Sequence, residues 1–294
     1  MVVLSENVKA FIDFRAFVKQ NSHFVKIFDF NNEHEIFDNV SIMGGVNYFL
    51  YSKKYSGFVD YYNCSKDKQQ LQTRNLFEEG LDIVIRNGIF APIIQKIKNV
   101  GLTPLSTITT SWDAFGISGN KAKLNSLMSE KRFEGSVKVR CSRNEIKYIS
   151  RDKLTKNTQL IDKWKVFSSR ANGAAGIIND DKAVMVTGTP YLGEPNSVCT
   201  ETSLPFGCYD SETEAENLRK YMTTKFLRFA VGMLKTSQDL YQIVYSFVPL
   251  QDFSETSDID WNKSIDEIDY QLYTKYNLSE EEIAFIEATI KPME

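Results

Sequence analysis

The sequence is poor in histidine, with two in 294 residues, and poor in cysteine, with four. Two histidines, His23 and His34, are too few for a convincing Ser-His-Asp arrangement, and both read as surface residues flanking a strand. Cys64, Cys141, Cys199 and Cys208 form no CxxC pair, and no histidine lies near any of them, so the common zinc patterns are excluded. We read the thiols as reduced, and mostly as packing residues, of a cytoplasmic protein. No stretch approaches the ~20 apolar residues that span a bilayer, and no membrane partner is expected. The opening MVVLSENVKAF lacks the basic-then-apolar pattern of a signal peptide. There is no P-loop, no GxGxxG and no GxSxG. No catalytic residue and no metal ligand is therefore assigned.

What is present is the composition of a globular chain, 42% apolar and 25% charged, long enough for one large domain or two ordinary ones. The net charge of −3 hides an asymmetry. Residues 131–170 hold twelve Lys and Arg against four Asp and Glu, a local net of +8. Residues 251–294 hold three Lys against twelve acids, a local net of −9. The basic block is either a solvated sheet face or a phosphate footprint, and charge alone leaves both open.

Along the chain, Ser5 caps a helix carrying Val8, Phe11, Ile12 and Val18. Residues 24–30, 46–51 and 58–62 read as strands, the second so apolar that both its faces should be buried. Residues 69–100 read as mostly helix, interrupted near Gly88 and Pro92. Alternation at 137–141 and 145–149, around 142–144, predicts a hairpin. Short strands are expected at 164–167 and 183–186, and an extended segment at 196–206. The clearest helix spans 211–234, with a capping box of Ser211 and Glu214 and the stripe Leu218, Met222, Phe226, Phe229, Met233. A second box, Ser279 with Glu282, starts the last helix. The fold class is α+β.

Glu145–Lys147 reads EIK, the end of a metal-dependent nuclease pattern, but alternating exposed charge on a hairpin is the plainer reading. Aromatic residues beside cations, at 131–133, 147–148 and 163–167, suit nucleic acid and equally suit a core.

Six segments taken in order carry more information: IFDNVSIMGGVNYFL at 36–50, FSSRANG at 167–173, VCTETSL at 198–204, YMTTKFLRF at 221–229, YSFVPLQDF at 245–253 and YTKYNLSEEEIAFIEATIKPM at 273–293. Their succession resembles the C-terminal region of bacterial adenine-specific DNA methyltransferases of restriction–modification systems, including fused methylase–endonuclease (type IIG-like) enzymes. The resemblance implies a short Rossmann-like sheet remnant at residues 1–65, then a mixed α/β target-recognition domain with C-terminal helices at 66–294. It implies sequence-specific contact with double-stranded DNA. The family's Asn-Pro-Pro-aromatic loop and S-adenosylmethionine motif are not in this sequence; the resemblance places them upstream of Met1. The cofactor is expected only with that region, which a separate methyltransferase chain would supply. The alternatives are a complete methyltransferase or restriction endonuclease with unrecognised motifs, and a docking subunit for a separate methylase.

The resemblance places Phe37 where relatives stack an aromatic ring on the extruded adenine; packing under the sheet edge is the rival role. It singles out the loop 168–173. Arg170 and Asn172 are types that read base edges, Ser169 suits a polar contact, and Gly173 permits close approach; the loop equally suits phosphate contact or support of the fold. Base readout is expected from 116–136 and 142–163. Phosphate contacts are expected from Lys138, Arg140, Arg143, Lys147 and Lys165. Lys225 and Arg228, three apart on the strongest helix, face phosphate or an acidic segment such as the C-terminal tail.

Overall fold

A computed structural model describes residues 16–20, 23–30, 36–37, 45–65, 68–77, 84–172, 178, 183–235 and 239–293. Most of the helix expected from Ser5 lies outside these residues, as do His34, Gly173 and residues 38–44 of the first resemblance block; residues 16–20 are helical. The chain divides into two compact units, Met1–Gln95 and Lys96–Glu294.

In the first unit, β1 (Phe24–Phe30) and β3 (Val59–Ser65) pair in parallel at the centre of a sheet. β2 (Val46–Tyr51) and β4 (Lys68–Arg74) add antiparallel at its two edges, giving the order β2-β1-β3-β4. One face buries Phe24, Ile27, Val59 and Tyr61 with Val18 and Leu76. Asp29 is 1% exposed. Its carboxylate is tolerated there because Arg86 Nε and Nη2 each donate to it at 2.7 Å and the Tyr61 hydroxyl at 2.8 Å. Phe28, one residue away in an alternating strand, belongs to the opposite face. There Tyr48, Phe28, Tyr62 and Leu71 stand in register across all four strands. Phe28 stacks on Tyr48 at 4.8 Å and on Tyr62 at 4.4 Å between ring centroids.

Three expectations change here. β2 is an edge strand, with Tyr48, Phe49 and Leu50 each half exposed, so its apolar run does not signal burial on both faces. Among the described residues, 69–100 are not mostly helix: β4 pairs with β3 over its whole length, and helix α1 is Phe90–Val100, beyond Gly88. Pairing to a waiting strand overrides the helix propensity of KQQLQTR. The boundary expected at 65/66 falls in the β3–β4 hairpin, so the sheet runs across it and the compact unit extends to Gln95.

Among the described residues, the second unit holds two small sheets and the remaining helices. α2 (Lys121–Leu127) leads into β5 (Met128–Ser129), then β6 (Ser136–Arg140) and β7 (Ile146–Ser150) form the expected hairpin. With β10 (Ser197–Cys199) the order is β10-β6-β7-β5. β8 (Trp164–Ser169) lies between β9 (Tyr191–Gly193) and β11 (Ser203–Tyr209). The strand expected at 183–186 is a single bridge from Val184 to Ile290. The whole is α+β.

The helix expected at 211–234 is two helices, α3 (Glu212–Thr223) and α4 (Lys225–Gly232). Thr224 leaves helical geometry at ψ 150°, and its hydroxyl accepts from the Leu227 N–H. Ser211 makes no side-chain cap. True capping boxes open α5 (Ile265–Lys275), with Ser264 and Glu267, and α6 (Glu280–Thr289), with Ser279 and Glu282.

Asp269 of α5 accepts the Lys225 and Phe226 N–H groups at 2.9 and 2.8 Å, satisfying the start of α4. Burial pushes its carboxyl up to about 7, against those donors. A folded value above the unfolded one means stability that is full below about pH 4 and lost as pH rises through 7. Asp269→Asn should remove that slope. Between pH 5 and pH 8 the wild type should lose roughly 2 kcal/mol relative to the variant in urea titrations. A constant difference would contradict this account.

Candidate nucleic-acid interface

The β6–β7 hairpin turns Val137, Val139 and Ile149 into a core with Leu124 and Leu127 of α2. Lys147 sits opposite Val139 and follows it inward: it is 7% exposed, donates to Asn125 Oδ1 at 2.9 Å and lies 3.4 Å from Glu145. It is therefore not positioned for phosphate. Among the described residues no group of three or more His, Cys, Asp or Glu is placed to hold a metal. Lys138 and Arg140 alternate to the other face. Lys138 pairs with Glu194 at 2.5 Å, and the Arg140 guanidinium lies 3.9 Å over the Tyr191 ring. Tyr191 shares a 3.0 Å hydrogen bond with Ser203. Arg143 stands exposed at the hairpin tip in left-handed conformation, φ 54°.

Two of the resemblance segments, 167–173 and 198–204, meet as neighbouring antiparallel chains, with Ser169 opposite Ser203. The Arg170 N–H donates to Thr202 O at 2.8 Å, and Arg170 O accepts from the Leu240 N–H at 2.6 Å. Its backbone is thus pinned on both sides as the strand ends. Its guanidinium lies 5.7 Å from the ring of Trp112, and its Nε is buried with no acceptor among the described residues. Asn172 is half-buried, and its carbonyl accepts from Lys235 Nζ at 3.4 Å. The same ammonium, 2% exposed, donates to Val186 O at 2.6 Å. Val186 has φ 50°, a strained conformation for a β-branched residue, and this buried donor helps hold it.

Other expected contacts are spent inside the protein. Lys165 is fully buried and donates to the carbonyls of Ile161, Lys163 and Glu194 at 3.3, 2.8 and 3.2 Å. Burial pulls its ammonium down to about 8. Arg228 is also fully buried: Nε donates to Thr223 O and Thr224 O at 3.1 Å, and Nη1 to Lys291 O at 2.6 Å. Lys225 pairs with Glu287 of α6, an acidic segment and not phosphate. Phe37 is 44% exposed. Among the described residues, six of the twelve cations at 131–170 have a carboxylate within 3.5 Å: Lys138, Lys147, Arg151, Lys153, Lys156 and Lys163. Half of the block's cations are thus matched by carboxylates, three of which come from outside it. Lys131, Arg132 and Arg143 remain exposed at loop tips.

Sequence reading missed two exposed aromatic residues here, Trp112 and Tyr241, 45% and 43% exposed. The signal available was a lone tryptophan in a turn-rich stretch that no apolar period claims.

No family model matches this chain, and no curated protein matches it. Among solved structures it is similar to the type IIG restriction endonuclease BpuSI, at 12% identity and a TM-score of 0.37. The alignment covers 96% of this chain and 44% of that one, so the chain spans less than half the length of that enzyme. A superposition that loose decides neither fold nor chemistry. Among the described residues no helix is long and apolar enough to cross a membrane.

Proposed function

We propose that this chain is the double-stranded DNA recognition module of a cytoplasmic restriction–modification enzyme of the adenine-methylating kind. In this reading methyl transfer and S-adenosylmethionine binding belong to a catalytic region outside the 294 residues. The observation that carries the reading is the convergence at the end of β8. Two segments some thirty residues apart in sequence pair there, and they leave Arg170 braced by its backbone, its half-buried guanidinium beside the exposed Trp112. A stem fixed in this way is what a base-reading or phosphate-gripping arginine needs. The six-segment resemblance supports the same assignment. Duplex contact is then confined to Arg170, Arg140 and the loop-tip cations Lys131, Arg132 and Arg143, and does not spread over the whole basic block.

Anisotropy titration of labelled random-sequence and genomic duplexes at low salt tests this. Arg170→Ala should weaken binding about tenfold, the scale of one good base contact. No binding by the wild type at low salt, with or without a partner methylase, would sink the reading. Micromolar binding of S-adenosylmethionine in calorimetry would replace it with the complete-enzyme alternative.

A second reading, a docking subunit, is favoured by one feature. The β2 edge exposes Tyr48, Phe49 and Leu50, the type of edge that recruits another chain. It is compatible with the first.

A further inference from the structure

The surroundings of Arg170 hold more than a cation. Trp112 lies on one side of its guanidinium. The chain at 239–242 is tied to the same strand end: Ala171 bridges Asp239, and the Leu240 N–H bonds Arg170 O. Tyr241 follows directly, and its hydroxyl donates to Asp239 Oδ2 at 3.1 Å. Burial raises that hydroxyl's pKa, Asp239 adds to the shift, and the Arg170 charge pulls the other way. Gln242 then fastens the Trp112 loop, its Nε2 donating to Ser106 O and Thr109 O at 2.8 Å each. The loop is further tied to β11 by the Thr109–Phe206 bridge and the Thr110 N–H to Pro205 O. Two ring-bearing loops and an arginine are thus mutually anchored. Each ring leaves more than two-fifths of its surface to water. A large aromatic residue held rigid at the surface loses little entropy on stacking, and stacking is tolerant of base identity.

We infer that Trp112, Arg170 and Tyr241 form a site for an unpaired nucleobase, with the rings supplying stacking faces and Arg170 supplying N–H donors to the base edge or the adjoining phosphate. A base paired within a duplex cannot offer its flat face to either ring; an unstacked one can. The site therefore favours DNA that is gapped, bulged or locally opened over intact duplex. The inference rests on the DNA-binding reading and adds a substrate class to it.

The test compares a labelled intact duplex with the same duplex carrying a central three-nucleotide single-stranded gap, on the full chain. The wild type should prefer the gapped DNA. Trp112→Ala and Tyr241→Ala should each weaken gapped binding about tenfold, and intact-duplex binding by less than about twofold. Trp112→Phe keeps a ring and should stay within about twofold of wild type on both DNAs. Because the tryptophan is half exposed, circular dichroism of the alanine variant should match the wild type. Equal affinity of the wild type for both DNAs, or an equal loss on both in the alanine variants, overturns the stacking site while duplex binding itself survives. Binding to neither DNA overturns both readings.

Discussion

Asp29→Ala is expected to destabilise the first unit by about 3–5 kcal/mol, the range for removing one partner of a buried ion pair. The substitution leaves the Arg86 guanidinium, 16% exposed, with neither of its two acceptor oxygens, and it strips the Tyr61 hydroxyl of its acceptor. The expected cost is that of an orphaned charge, not of a lost attraction, so Asp29→Asn, which keeps one acceptor, should cost less. The pH dependence has a definite sign. Burial alone would raise the Asp29 carboxyl, but the hydrogen bonds and charge of Arg86 outweigh it and hold the carboxyl below the usual range. Its contribution is therefore present above about pH 4 and is lost as pH falls further. This is the reverse of Asp269. All three tryptophans, Trp112, Trp164 and Trp261, belong to the second unit, so their fluorescence will not report the change. Hydrogen exchange in β1 and β3 will. Protection of those strands unchanged in the alanine variant, or a cost that does not shrink between pH 5 and pH 2, would count against the account.

Arg228→Ala should cost about 3 kcal/mol or more, read by tryptophan fluorescence in urea, because three main-chain carbonyls lose their donor in a dry environment. Arg228→Met fills most of the volume and should recover only the packing part. Neither should change DNA affinity under conditions where the protein is folded. Arg170→Ala should behave in the opposite way, with binding reduced and stability kept. A DNA-binding defect in folded Arg228→Met would return that residue to the interface.

The contrast between these two arginines shows what was legible beforehand. The hairpin at 136–150 is written in its alternation, and the last helix in Ser279 and Glu282, because both signals are local. The break at Thr224 is not. The stripe Leu218, Met222, Phe226, Phe229 passes across it unbroken, since one residue of extended backbone capped by its own hydroxyl reorients the helix without interrupting the apolar succession. β4 is not legible either: KQQLQTR suits a helix, and only the free edge of β3 makes it a strand. Counting cations treats each as a surface charge. Burial of Lys165 and Arg228 depends on which carbonyls the fold gathers around them, and those come from residues 161–163, 194, 223–224 and 291. Arg170 was legible as a residue type in a distinctive segment; its aromatic neighbours, 58 residues before it and 71 after it, were not.

The pairing of the basic block with carboxylates has a further implication for how such a chain can diverge. Lys138, Lys156 and Lys163 are matched by Glu194, Asp113 and Asp210, acids that lie outside the block. Losing any one of these acids slackens a surface fastening slightly and, in the same step, unmasks a cation. Sequence drift at three acidic positions therefore retunes how strongly the protein clings to any polyanion while leaving every lysine and arginine in place.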